Sequence, residues 1–128
     1  MAGALTISTL KDDTGVLSVQ NGMTGICKAW VKFAGGTGAI NGSFNVSSVT
    51  RSAVGVYAVN FTTAMPNINY AVTGASKNQD NTTTTAGNNP VAVGPISFAT
   101  GSIGIVTPST TAGTLVDPFA VSIAVFSS

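Results

Sequence analysis

Apolar and polar residues alternate one for one in a series of short runs along this chain, and the alternation is clearest between Ser43 and Thr73. There Phe44 and Val46 interleave with Ser43, Asn45 and Ser47, a period of two that predicts a strand over Ser43 to Ser48 with one wet and one dry face. Tyr57, Val59 and Phe61 repeat the pattern, and Ile68, Tyr70 and Val72 repeat it again. Arg51-Ser52-Ala53-Val54-Gly55 and Ala64-Met65-Pro66-Asn67 separate the three runs, and their Gly and Pro suit turns. A meander of antiparallel strands is the expectation for this region.

The same reading extends to both ends. Leu5 to Ser8 and Val16 to Val19 predict a strand pair around the turn Lys11-Asp12-Asp13-Thr14-Gly15, and Gln20 to Gly25 then interrupts the pattern. Residues 1–24 are therefore expected to form an N-terminal arm or edge hairpin, and residues 25–128 the body. Ile26 to Phe33 is a strong strand, closed by the glycine corner Gly35-Gly36-Thr37-Gly38. Ala75 to Pro90 has no apolar period and reads as a long polar loop, a kind that is functional or mobile in a small domain. Short strands are predicted at Val91 to Val93, Ile96 to Ala99 and Ile103 to Val106, with a polar loop over Pro108 to Gly113. In the last strand, Phe119, Val121, Ile123 and Val125 face one way, and Ala120, Ala124 and Phe126 the other. A strand apolar on both faces belongs in the middle of a sheet or under another subunit. These elements define an all-β protein: an antiparallel β-sandwich or jelly-roll-like fold of about eight short strands with almost no helix.

Composition supports that class and narrows the partners. Only 7% of the 128 residues are charged, against about 25% in an ordinary soluble protein, so hydroxyls, amides and backbone must form the surface. Glu is absent while Val, Ile, Thr and Phe abound, which favours strands over helices. A net charge of +1 with no basic cluster removes the electrostatic attraction that dominates nucleic-acid binding. The opening MAGALTISTLKDD lacks a basic n-region and an apolar h-region, and no run is long enough to span a bilayer. A soluble protein made in a cytoplasm, binding neither nucleic acid nor membrane, is the expectation. Cys27 is the only cysteine and shares its strand face with Ala29, Val31 and Phe33, so it reads as a small buried apolar residue.

Candidate chemistry is sparse. With no His and no Glu, acid–base work would fall to four aspartates, of which Asp12 and Asp13 suit a turn, Asp80 a loop and Asp117 the turn before Pro118. A calcium loop would need a further set of oxygen ligands at fixed spacing, and neither zinc ligands nor a nucleophile–base pair can be assembled. Gly35 to Gly38 lacks the Lys-Ser/Thr ending of a phosphate-binding loop. The expectation is a protein that is not an enzyme and uses no cofactor or metal. One constellation remains: Lys28, Trp30 and Lys32 occupy the second face of the Ile26 to Phe33 strand. Either the lysine stems lie along a solvated indole ring, or Trp30 anchors an interface.

At these residues the chain resembles a known module. ICKAWVKF followed by SFNVSSVTRSAVGVYAVNFTTAMPNINYAVTG is similar to a β module of tailed-bacteriophage structural proteins, written KAWV-F, then FNVSSIT, a G-Y-VNFTTAMP element and NYAV. The likeness covers about residues 26 to 74, with a vaguer one in ALTISTLKDDTGVLSV. It implies an architectural role and supplies no catalytic residue.

Two functions follow from the resemblance. One is a trimeric capsid decoration, or cement, protein on the outside of the virion shell, bound to the major capsid protein and bridging capsomers, with the N-terminal arm adding a strand to a neighbouring sheet. A chain of 128 residues leaves little room for the shaft and attachment domain of a fibre. The other is a tail-fibre or tail-tip receptor-binding protein whose 75–90 and 108–113 loops touch host glycans, although those loops hold no aromatic platform. The residues expected at a subunit or partner interface are Leu5, Ile7, Leu10, Lys28, Trp30, Lys32 and Phe126.

Overall fold

The structure, a computed structural model, describes residues 3, 9–12, 15–18, 26–77, 92–109 and 114–127. Among the described residues there are ten strands: β1 (Thr9–Asp12), β2 (Gly15–Ser18), β3 (Cys27–Phe33), β4 (Ile40–Phe44), β5 (Val46–Ala53), β6 (Val56–Phe61), β7 (Ala71–Lys77), β8 (Gly94–Phe98), β9 (Ser102–Val106) and β10 (Ala120–Phe126). Eight of them form an antiparallel β-sandwich of two four-stranded sheets, ordered β4-β3-β10-β7 and β5-β6-β9-β8. Among the described residues β1 and β2 pair only with each other. Among the described residues there is no helix.

Alternation decides what lies between the sheets. The odd-numbered residues Ala29, Val31, Phe33, Val121, Ile123 and Val125 point inward from the first sheet. Tyr57, Val59, Phe61, Ile103 and Ile105 meet them from the second. Phe33 and Tyr57 join the two layers through an edge-on ring contact, centroids 5.0 Å apart, a geometry the ring quadrupoles favour. Tyr70 performs the same service at the other end, packing against Phe61 and Phe98 while its hydroxyl donates to the Ala99 and Ser102 carbonyls. The last strand is central, between β3 and β7, which accounts for its two-sided apolarity within one chain.

Several boundaries differ from those the pattern predicts. Ser43 to Ser48 is not one strand. Asn45 adopts a left-handed φ of 54° between β4 and β5, and there the chain passes from one sheet to the other. Its side chain holds the crossing, Nδ2 donating to the Lys28 and Thr63 carbonyls and Oδ1 accepting from the Thr63 N–H. Nor do the three strands make a simple meander, because β7 joins β10 in the first sheet after Met65 is buried in the Ala64 to Asn67 bend. Arg51, Ser52 and Ala53 continue β5, so the turn shrinks to Val54-Gly55. Ile68 is exposed ahead of β7, which begins at Ala71 and runs two residues past Ala75 into the expected loop. Ala92 and Val93 precede β8 without strand pairing, and Phe119 lies just outside β10 with half its surface exposed. At the front, Lys11 and Asp12 belong to β1, and Asp12 pairs with Gly15 of β2. The predicted strand at Leu5 to Ser8, most of the 75–90 loop and most of the 108–113 loop lie outside the described residues.

Candidate functional site

Strand alternation that buries Ala29, Val31 and Phe33 sends Trp30 and Lys32 to the opposite, outer face of the first sheet. Register then sets their neighbours. Trp30 stands beside Phe44 of β4 on one side and Ala124 of β10 on the other, with Thr73 of β7 next in the row. In the following row Lys32 lies between Gly42 and Ser122, and Ala75 comes after. Trp30 keeps 43% of its surface exposed and Phe44 55%, which is unusual for two aromatic rings side by side on a surface. Gly42 sets the pose of the indole: a Cβ there would stand 3.4 Å from Cη2, so the ring lies across bare backbone.

Small side chains make the middle of this face low and its margins high. A groove of about 470 Å³ runs over Thr73, Ala75, Ser122 and Ala124 beneath Trp30 and Lys32. A second hollow of about 250 Å³, bordered by Lys32, Lys77 and Phe119, shares Lys32, Ala75 and Ser122 with the first and continues it. Chemically the surface can stack an apolar group, accept or donate through hydroxyls and attract an anion. Its lining residues include no His, Asp or Glu.

The only ion pair among the described residues lies elsewhere, at the β5–β6 turn. Asp117 receives Arg51 in two-pronged fashion, Nε to Oδ1 at 3.0 Å and Nη2 to Oδ2 at 2.5 Å. Oδ1 also accepts from the Tyr57 hydroxyl at 2.8 Å and the Gly55 N–H at 2.9 Å. Arg51, with Gly55 and Tyr57 assisting, holds the Asp117 carboxyl at about 2, well under its ordinary 3.8, against the opposing effect of burial. Burial first, and the bond to Asp117 second, push the Tyr57 phenol up to about 12. Thr107 completes the clasp, its hydroxyl donating to the Val116 carbonyl at 2.6 Å. A depressed carboxylate can mark an active site, but all four hydrogen bonds to it here fasten residues 115–118 to the sandwich, so this is a structural lock.

Of the residues expected at an interface, Lys28, Trp30 and Lys32 share the outer face, with Lys28 half-buried at its end. Phe126 ends β10 half-buried, paired with Cys27 and Ala71. Leu10 lies in β1 of the separate hairpin, while Leu5 and Ile7 lie outside the described residues. Cys27 is half-buried rather than buried, since it opens the strand at the sandwich rim, and its thiol points to the Ala29 carbonyl. Phe44, Thr73, Lys77 and Phe119 belong to the face although the pattern did not place them there. Asn45 was the available signal for Phe44, because Asn tolerates the left-handed region that ends a strand. For the Arg51–Asp117 pair, 66 residues apart, local pattern offers none.

Among the described residues no cluster of His, Cys, Asp or Glu could hold a metal ion, and no helix is long and apolar enough to cross a membrane. Comparison of the chain with protein-family models, with curated proteins and with solved structures finds no match in any of the three.

Proposed function

We propose that this chain is a structural protein of a tailed-phage virion: a homotrimeric decoration protein on the capsid exterior that binds the major capsid protein and stabilises the shell by bridging capsomers. The observation that carries this reading is the outer face of the β4-β3-β10-β7 sheet, where Trp30 and Phe44 stay exposed side by side over a floor of small residues. Aromatic anchors in shallow, well-fitted depressions supply most of the energy of protein interfaces, and Trp is over-represented among them. The resemblance of residues 26 to 74 to phage structural modules supports the location, and a sequence without His or Glu favours binding over bond-making. A homotrimer finds support in the β1–β2 hairpin, which pairs with neither sandwich sheet and can add to a sheet edge of another copy. Two-sided apolarity of the last strand does not contribute, since that strand is central within one chain.

A second reading, a receptor-binding protein of the tail, draws on one observation: an exposed indole beside the Thr73 and Ser122 hydroxyls is the kind of platform on which sugars stack. A density map of the intact particle separates the two. Density for this fold repeated over the shell, lost when residues 1–24 are removed, is the expected result; density confined to the tail overturns the decoration role.

A further inference from the structure

The outer face that holds Trp30 is electrically one-sided. Lys28, Lys32 and Lys77 all belong to it, Lys32 in register with Ser122 and Lys77 with Ala120. Asp117, the only carboxylate among the described side chains, is committed to Arg51 at the β5–β6 turn. Cations thus flank the continuous groove under Trp30 with no described anion beside them. Copies related by a two-fold axis meet through the same patch, so pairing this face with itself would set Lys32 and Lys77 against their own equivalents. Like charges brought together across an interface suppress that pairing.

We infer that this face docks an acidic protein surface, an apolar ridge bordered by Asp or Glu carboxylates, and not a second copy of itself. Three features select that occupant. The charge selects an anion. The small floor of Thr73, Ala75, Ser122 and Ala124 leaves room for protruding aliphatic or aromatic side chains, which a sheet face carrying large residues would refuse. Exposed Phe44 and Phe119 extend the apolar contact to both sides of the groove, so the surface has an apolar centre with charged groups around it, the anatomy of a protein interface. In a trimer, self-contacts then fall on the hairpin and the sheet edges, and this face remains open to the shell. The inference rests on the virion reading for the identity of that partner, but the recognition chemistry can be tested without it.

The chain has a single tryptophan, which makes the test direct. Trp30 fluorescence is followed while the full chain is titrated with a glutamate–tyrosine copolymer, poly-glutamate, poly-lysine and alginate. The copolymer is expected to shift the emission and bind best, poly-lysine not at all, and the double variant Lys32→Glu/Lys77→Glu is expected to lose about tenfold or more in affinity. Circular dichroism establishes that the variant is folded, and Lys32→Gln/Lys77→Gln gives an intermediate loss. Alginate binding as tightly as the copolymer overturns the inference in favour of a carboxylated glycan, and no response to any probe overturns it outright. Shells stripped of this chain provide the second arm. Docking that survives the double charge reversal removes the acidic-surface inference and leaves the virion reading standing. Copolymer binding without docking to shells does the reverse.

Discussion

Replacing Asp117 by Asn should cost this protein about 2 kcal/mol, and the cost should vanish in acid. In the native fold the carboxylate is four-fifths covered and takes bonds from Arg51, Tyr57 and Gly55. It titrates at about 2 where an unperturbed aspartate titrates at 3.8. A folded-state value depressed in this way adds stability that is complete above the unfolded value and disappears as pH falls through the folded one. The contribution amounts to about 2 kcal/mol at low salt and somewhat less once salt screens the pair. Asn keeps the shape and one acceptor oxygen for Tyr57 and Gly55, but it turns an amide N–H₂ toward the guanidinium, so the charge term is lost. Ala orphans the Gly55 N–H and the Tyr57 hydroxyl as well, which raises the expected loss to about 3–4 kcal/mol. For a chain of this size the Asn change corresponds to a Tm lower by about 6–8 °C. Urea unfolding followed by far-UV circular dichroism, repeated between pH 7 and pH 1.5, measures both curves. They should run parallel from pH 7 to about 4, converge between about 4 and 2, and coincide below, because protonated Asp117 resembles Asn. The other aspartates titrate equally in both proteins and cancel from the difference. A gap under about 0.5 kcal/mol at pH 7, or one that stays constant into acid, would refute the lock.

Further outcomes follow from the same geometry. Tyr57 sits at about 12, so the unfolded state ionises first and stability should fall as pH rises from about 10 to 12; Tyr57→Phe should abolish that part of the alkaline loss while costing about 1 kcal/mol at neutral pH, both read from urea midpoints. Asn45→Gly should lose about 1–2 kcal/mol through the missing side-chain bonds, and Asn45→Ala about 1 kcal/mol more, because Ala resists the φ of 54°; equal losses would mean the backbone there is unstrained. Gly35→Ala drives a methyl into the buried Pro118 backbone and should destabilise by more than 2 kcal/mol, with thermal melting as the readout. Trp30→Ala should weaken docking about tenfold or more while costing the fold less, since the residue keeps 43% of its surface exposed; equal loss of both would make the ring a cover for the sheet and nothing more.

Period-two alternation located the centre of the core. Ala29, Val31 and Phe33, Tyr57, Val59 and Phe61, and Val121, Ile123 and Val125 are buried on the parity their spacing predicts. Alternation is a local property, however, and cannot say which sheet a strand joins. Phe44 and Val46 share a parity on paper, but Asn45 turns the chain between them, so Val46 enters the core of one sheet while Phe44 stands on the outside of the other. Lys77 and Phe119 were hidden for a related reason: they flank a hollow that forms only when β7 is laid beside β10, strands separated by more than 40 residues. Trp30 and Lys32 were legible because one strand suffices to give them a common face.

The distribution of charge separates what holds this molecule together from what it offers to others. Its one described ion pair is partly buried, multiply bonded and turned toward the fold, where a carboxylate at about 2 stays charged through any ordinary change of pH. The lysines of the outer face are on a surface where salt screens them over about 8–10 Å, so a complex made through them should loosen with ionic strength while the fold does not. Apolar contact at Trp30 and Phe44 has no such dependence. A docking affinity that falls with salt to a finite plateau would therefore report both components at once, with the plateau set by the aromatic pair and the slope by Lys32 and Lys77. Loss of the plateau in Trp30→Ala and a flattened slope in the neutral variant Lys32→Gln/Lys77→Gln would assign each to its residues, while Lys32→Glu/Lys77→Glu should not dock at all. An affinity indifferent to salt would mean that the lysines are spectators and that shape alone selects the partner.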